Sequence, residues 1–243
     1  MTDEGSYSPA QQLFHAVIPK VMGTRLEWIT CGMKEKPARM LWERFSSWVS
    51  DASARLNRFD PSSEVSRLNS GECLEPSADV AALMDLGHRY KALTDGLFDV
   101  QSGGSLDFGG MAKGWALEKA KDLLERAGCS CAFLNFGGSS ILALGTHPNG
   151  PAWQVALPDP FSGITLDLWN LKDAAMSVSG NVPGYTGHIE NPLTGERITA
   201  RRLTVAVDSS PLRAEVLSTA LMISPERHWE QRFPSASMKC YNV

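Results

Sequence analysis

After Pro37 the apolar residues Leu41, Phe45, Trp48, Ala52 and Leu56 recur at three- and four-residue spacing, the period of a helix that buries one face. A second helix is expected where Ser77, a residue type that caps helix N-termini, precedes Val80, Leu83, Met84, Tyr90 and Leu93, with Gly96 near its end. A third carries Met111, Trp115, Leu123 and Leu124 and stops at Gly128, a suitable left-handed cap. Short apolar runs at 132–136, 141–144, 153–157, 164–168 and 203–207 read as strands. Helical and extended segments are mixed instead of strictly alternated, and no repeat or low-complexity linker separates them. The expected fold class is α+β.

The 243 residues, 43% of them hydrophobic, can supply one core, so a single domain over 1–243, of two intimately joined lobes, is expected. A net charge of -4, with 23 basic residues dispersed along the chain, shows no nucleic-acid footprint. No apolar run approaches the roughly 20 residues of a membrane span, and the start of the chain lacks a basic segment followed by an apolar one. A cytoplasmic location is the expectation, unless a leader lies outside this sequence. Cys31, Cys73, Cys129, Cys131 and Cys240 are odd in number and without paired metal-ligand spacing, so they read as reduced structural thiols.

Three segments carry chemistry. In Leu106-Asp-Phe-Gly-Gly-Met-Ala-Lys-Gly, Gly109 and Gly110 can take backbone conformations that other residues avoid, and Lys113 lies in the first turn of the following helix. That combination lets a backbone approach a phosphate; a tight turn before an ordinary helix is the plain alternative. Glu215 and Thr219, four residues apart, share a helix face and offer oxygen to a hard cation such as Mg²⁺. Each also has a structural reading: an acid in a first helical turn complements the dipole, and a mid-helix threonine bonds its own backbone. Residues 179–195 are dense in turn formers and should be an ordered surface loop. His188 there titrates near neutrality and could move a proton, positioned by Asn191-Pro192 and Thr194-Gly195, although a lone loop histidine is more often merely exposed.

In their order along the chain, these segments resemble the ApbE family of FAD:protein FMN transferases. The likeness rests on Val21-Met-Gly-Thr, Arg58-Phe-Asp-Pro-Ser-Ser-Glu-Val-Ser-Arg-Leu-Asn, Asp95-Gly-Leu-Phe-Asp-Val, Leu106-Asp-Phe-Gly-Gly-Met-Ala-Lys-Gly, Phe133-Leu-Asn-Phe-Gly-Gly, His188-Ile-Glu-Asn-Pro-Leu-Thr-Gly and Ala214-Glu-Val-Leu-Ser-Thr-Ala, spanning about 20–222. It implies an ApbE-like fold of mixed sheets packed with helices, with an FAD site in the cleft between the lobes. The implied activity is Mg²⁺-dependent transfer of FMN from FAD to a threonine hydroxyl of an acceptor flavoprotein, releasing AMP and leaving a phosphoester. By position in these motifs, Met22 and Phe59 should lie near the flavin or its ribityl chain, and Asp99, Val100, Gln101, Asp107 and Lys113 should line the FAD site. Gly110, through its carbonyl, and the side chains of Glu215 and Thr219 should hold the metal. His188 and Ile189 should sit on the loop that closes over the dinucleotide, His188 as the candidate catalytic base.

The chain departs from the family pattern in several places. Glu215 stands for the usual aspartate, Trp115 and Phe59 for frequent tyrosines, Val178 for a threonine, and the connection from Gln101 to Leu106 is very short. A lid or an acceptor-binding surface could therefore be missing. Two other functions keep the same residues in play: an FAD-binding protein without transfer, and an FAD pyrophosphatase that yields free FMN and AMP.

Overall fold

Alternation of buried and outward positions along three neighbouring strands generates the main sheet. The structure is a computed structural model describing residues 5–243, so the sequence reading of the extreme N-terminus lies in part outside the described residues. In β2 (Leu13–Val21), β3 (Thr24–Cys31) and β4 (Ala132–Phe136), the inward residues Ala16, Trp28 and Leu134 oppose one another across the ladders. With β1 (Ser6–Ser8), β5 (Ser140–Leu144), β8 (Ala174–Gly180), β9 (Arg202–Asp208) and β10 (Ser237–Asn242) they form an antiparallel sheet of order β1-β2-β3-β4-β5-β8-β9-β10. A separate hairpin, β6 (Trp153–Pro158) with β7 (Thr165–Leu171), covers part of its other face.

The first face of the sheet is closed by α1 (Glu35–Leu56) and α4 (Ala112–Arg126), whose Trp42, Phe45, Val49, Leu117 and Leu124 pack on Phe14, Trp28 and Phe136. Burying each such side chain is worth about 1.5–3 kcal/mol, so packing on the sheet, more than helix propensity, fixes these helices. The expected helix ends hold for α4: Gly128 has φ 71°, and the amides of Gly128 and Cys129 bond Glu125 and Leu124 carbonyls, the Schellman closure. A second cluster joins the end of α1 to α2 (Glu64–Asn69), α3 (Ala78–Leu93), the 98–111 segment and α5 (Pro211–Ile223). The short α6 (Trp229–Arg232) seals the far side of α5 through Trp229.

Some expectations need correction. Ser77 stands at the N-cap of α3, but its hydroxyl donates to Glu64 Oε2 (2.9 Å) and accepts from Arg55 Nη1 (3.2 Å), so it satisfies an ion network instead of a helix amide. The strand expected at 164–168 runs Thr165–Leu171. Ser179 and Gly180 end β8 instead of opening the loop. The N-terminal hairpin β2–β3 escaped the pattern because its outer face mixes apolar Leu13, Val17 and Ile29 with the His15–Glu27 pair. All five cysteines are free, and desolvation pushes the Cys31, Cys129 and Cys131 thiols upward, which keeps them protonated and unreactive. No described helix is long and apolar enough to cross a membrane.

Candidate functional site

A cleft of about 1800 Å³ opens where the β2–β3 turn, the 97–113 segment, the β4–β5 turn, β6, the end of β8 and the following loop converge on α5. Met22, Phe59, Asp99, Asp107, Gly110, Lys113, His188, Ile189, Glu215 and Thr219 all line it. Val100 and Gln101 do not: Val100 is 1% exposed and packs against Gly87, while Gln101 turns outward to pair with His88 Nε2 at 3.1 Å.

Glu215 is the electrostatic centre of the cleft wall. It lies in the second turn of α5, whose N-terminus is already capped by Ser210 and started by Pro211, so the helix-dipole reading does not account for it. Its side chain is 5% exposed. Oε1 accepts from Lys113 Nζ at 2.8 Å and from Ser140 Oγ at 3.4 Å, and Oε2 accepts from the Gly114 amide. A carboxylate buried to this degree needs such partners, because desolvating an unpaired charge is costly. Gly114 makes the arrangement possible: a Cβ there would come within 2.7 Å of both Glu215 Oε2 and the Pro211 carbonyl. Gly114→Ala is therefore expected to lower stability by about 1–3 kcal/mol, the usual range for overpacking. A urea midpoint equal to wild type would show that α4 and α5 have room to separate.

The adjacent glycines act through space and not through unusual dihedrals. Neither Gly109 nor Gly110 has positive φ, contrary to the conformational reading. Gly110 is needed because a Cβ would approach the Phe98 ring to 3.1 Å and come within 4.0 Å of Thr219 Oγ1. Thr219 donates to the Glu215 carbonyl at 3.2 Å, as expected of a mid-helix threonine, which leaves its lone pairs for the cleft. Gly110, Glu215 and Thr219 thus offer oxygen alone, a donor set suited to a hard divalent cation. Among the described residues, no group of three or more His, Cys, Asp or Glu is placed to hold a metal, so any cation here needs backbone and hydroxyl oxygens as well.

Around this centre the other residues are held by local bonds. Met22 and Gly23 form the two-residue turn of the β2–β3 hairpin, both with positive φ (48° and 81°), the type I′ signature. Methionine in that region is strained; the Met22 amide is tied to Ser53 Oγ at 2.9 Å. Phe59 is 79% exposed over the cleft, with the Arg58 guanidinium above its ring, and Arg58 also reaches Asp107 (3.2 Å). Asp99 pairs with Lys91 at 2.7 Å. His188 stacks on Tyr185, ring centroids 4.1 Å apart. Partial desolvation holds the His188 pKa below its usual value, and the Lys113 charge adds to this, against a backbone hydrogen bond at Tyr185 that raises it. Buried Asn181 staples the loop, donating to the Ile198 and Ala200 carbonyls and accepting from the Gly187 amide. Ser140, Ser179, Asn181 and Tyr185 escaped the sequence reading; only the Ser179-Gly-Asn turn composition signalled any of them. Trp115, one of the departures, packs at a tilt against Trp48 in the core and does not line the cleft.

The profile of the ApbE family matches residues 22–105 and 101–241. The chain belongs to the ApbE family. The FAD:protein FMN transferase of Rhodobacter capsulatus is 32% identical over 132 residues, 51% of this chain and 25% of that protein. That of Chlamydia muridarum is 25% identical over 229 residues, 68% of this chain and 70% of its own length. The chain thus spans a quarter of the Rhodobacter relative and, for the Vibrio cholerae relative at 29% identity, 39%. A solved variant of flavin transferase ApbE from Vibrio cholerae shares the fold with a TM-score of 0.79 at 19% identity, covering 94% of this chain and 93% of that one. The ApbE protein of Thermotoga maritima gives 0.77 at 20% identity, with 93% of each chain covered. The mixed α+β architecture is therefore that of ApbE structures.

Proposed function

We propose that this ApbE-family chain is a Mg²⁺-dependent FAD:protein FMN transferase acting on a threonine hydroxyl of an acceptor flavoprotein. The observation that carries the reading is the buried Glu215 carboxylate, paired with Lys113 in the wall of a cleft large enough for a dinucleotide. The relatives named FAD:protein FMN transferase support it.

In this reading the threonine oxygen attacks the FMN-side phosphorus of FAD. The bond from that phosphorus to the bridging oxygen breaks, and AMP leaves with the electron pair. Lys113 neutralises charge that grows on the phosphate oxygens, and His188 accepts the threonine proton, an assistance typically worth about 10²- to 10⁴-fold. Gly110, Glu215 and Thr219 would hold Mg²⁺, which when bound supplies Lewis-acid stabilisation of the pyrophosphate. Phe59 and Met22 offer apolar contact to the flavin, while Asp99, Asp107 and Ile189 line the dinucleotide's path. Val100 and Gln101 support the turn behind that wall.

The deciding experiment incubates the chain with FAD, Mg²⁺ and a threonine-bearing flavoprotein, followed by denaturing electrophoresis and AMP quantification. Flavin fluorescence on the acceptor band with stoichiometric AMP supports transfer. Free FMN with AMP would assign a pyrophosphatase, and intact FAD a binding protein. The pH profile tests His188 separately. A base must be neutral, so activity should rise with pH through the His188 pKa, and the acid limb of kcat/KM should fall below the ordinary histidine value of 6.5. An acid limb that persists unchanged in His188→Gln would assign it to another group.

A further inference from the structure

Behind the Glu215–Thr219 turn of α5 lies a ladder of hydroxyls contributed by β8. Ser177 Oγ and Ser179 Oγ approach Ser218 Oγ at 3.0 and 2.8 Å, and Ser179 Oγ lies 3.4 Å from Thr219 Oγ1. Ser218 is fully buried.

The protons of this ladder can be counted, because each hydroxyl donates once. The Glu215 carbonyl can only accept, and both Ser218 (3.0 Å) and Thr219 (3.2 Å) donate to it. In the proton arrangement that keeps both of those bonds, the Ser218 oxygen accepts from Ser177 and from Ser179. Ser179 then has no proton left for Thr219, and Thr219 has none left for Ser179. In that arrangement the 3.4 Å contact of Ser179 with Thr219 is one of two oxygens with no hydrogen between, which a positive charge or a donor would stabilise. Both residues line the cleft, and a Cβ on Gly110 would lie 4.0 Å from Thr219 Oγ1.

We propose that Ser179 is a further oxygen ligand of the cation site, presenting its lone pair beside Thr219. The inference rests on the cation site of the proposed function. Part of the coordination is then by neutral hydroxyls whose protons are directed into the protein.

Mn²⁺ serves as the probe, read by the electron paramagnetic resonance signal of the free ion in the presence of FAD, so that no turnover is needed. Wild type is expected to bind Mn²⁺, Ser179→Ala to bind it at least about tenfold more weakly, and Ser179→Thr, which keeps the hydroxyl, to stay close to wild type. Circular dichroism melting of each variant separates lost affinity from lost fold. Equal Mn²⁺ affinity in wild type and a folded Ser179→Ala overturns the role of Ser179 while leaving the cation site standing. Absence of Mn²⁺ binding by wild type overturns both.

Discussion

Replacing Glu215 with glutamine is expected to cut Mg²⁺-dependent FMN transfer by about 10²- to 10³-fold, the loss that follows when several kcal/mol of transition-state charge stabilisation are removed. The substitution keeps the size of the side chain and an acceptor for the Gly114 amide, so the helix contact of α4 with α5 should survive. It removes the one buried negative charge that both Lys113 and a bound cation would answer. Lys113 is less enclosed than its partner, with 21% of its side chain exposed, and can turn into the cleft, so the stability loss should be small. Initial rates of covalent flavin incorporation, compared with melting curves, check the two halves of the expectation. A folded Glu215→Gln enzyme working at the wild-type rate would take Glu215 out of the site.

Lys113→Met should lose stability as well as phosphate neutralisation. It leaves the Glu215 carboxylate, 5% exposed, with two neutral donors, the Gly114 amide and Ser140 Oγ, in place of a cation at 2.8 Å. Breaking a buried pair from one side typically costs about 3–5 kcal/mol. For a chain of this length about 3 kcal/mol corresponds to a fall in Tm of roughly 6–12 °C. Two further outcomes distinguish this cause from a packing defect. Mg²⁺ should raise the Tm of Lys113→Met more than that of wild type, since the ion replaces the missing charge and binds only the folded state. Adding Glu215→Gln should restore much of the lost stability, because the unpaired charge is gone. If the double variant is as unstable as Lys113→Met alone, the loss comes from packing of the lysine stem.

The two expectations differ in stability because the pair is asymmetric. A mutation on the buried side removes function and leaves a cation that can reach water. A mutation on the exposed side strands a charge that cannot. Lys113 Nζ sits on Glu215 Oε1, so a cation held by that carboxylate would compete with the ion pair for the same oxygen.

How much of this was legible beforehand varied by element. The helices α1, α3 and α4 were visible by their helical period, although along α1 the sequence marked Leu41, Phe45, Trp48 and Ala52 where the fully buried apolar stripe is Trp42, Phe45, Val49 and Ala52. Strands β4, β5, β6 and β9 were visible as short apolar runs between turns. The β2–β3 hairpin was not, since Pro19 and a mixed outer face blur its period and its turn is Met-Gly, where Asn-Gly is the usual signal. The site divided the same way. Lys113, His188, Glu215 and Thr219 stood out by residue type and motif, whereas Ser140, Ser179 and Asn181 are common residues whose importance is a matter of what lies across from them.

The sequence by itself determined the α+β class, the helical segments and the order of the motifs that mark an ApbE-family chain, because periodicity and turn chemistry are local properties. Only the tertiary structure decided that Glu215 is a buried charge instead of a dipole-complementing acid, and that Trp115 belongs to the core. It likewise turned Val100 and Gln101 away from the cleft and set Ser179 against Thr219. Each of these depends on contacts between segments far apart in the chain, Gly114 with Glu215 or β8 with α5, and no local pattern encodes which distant atom will fill the space.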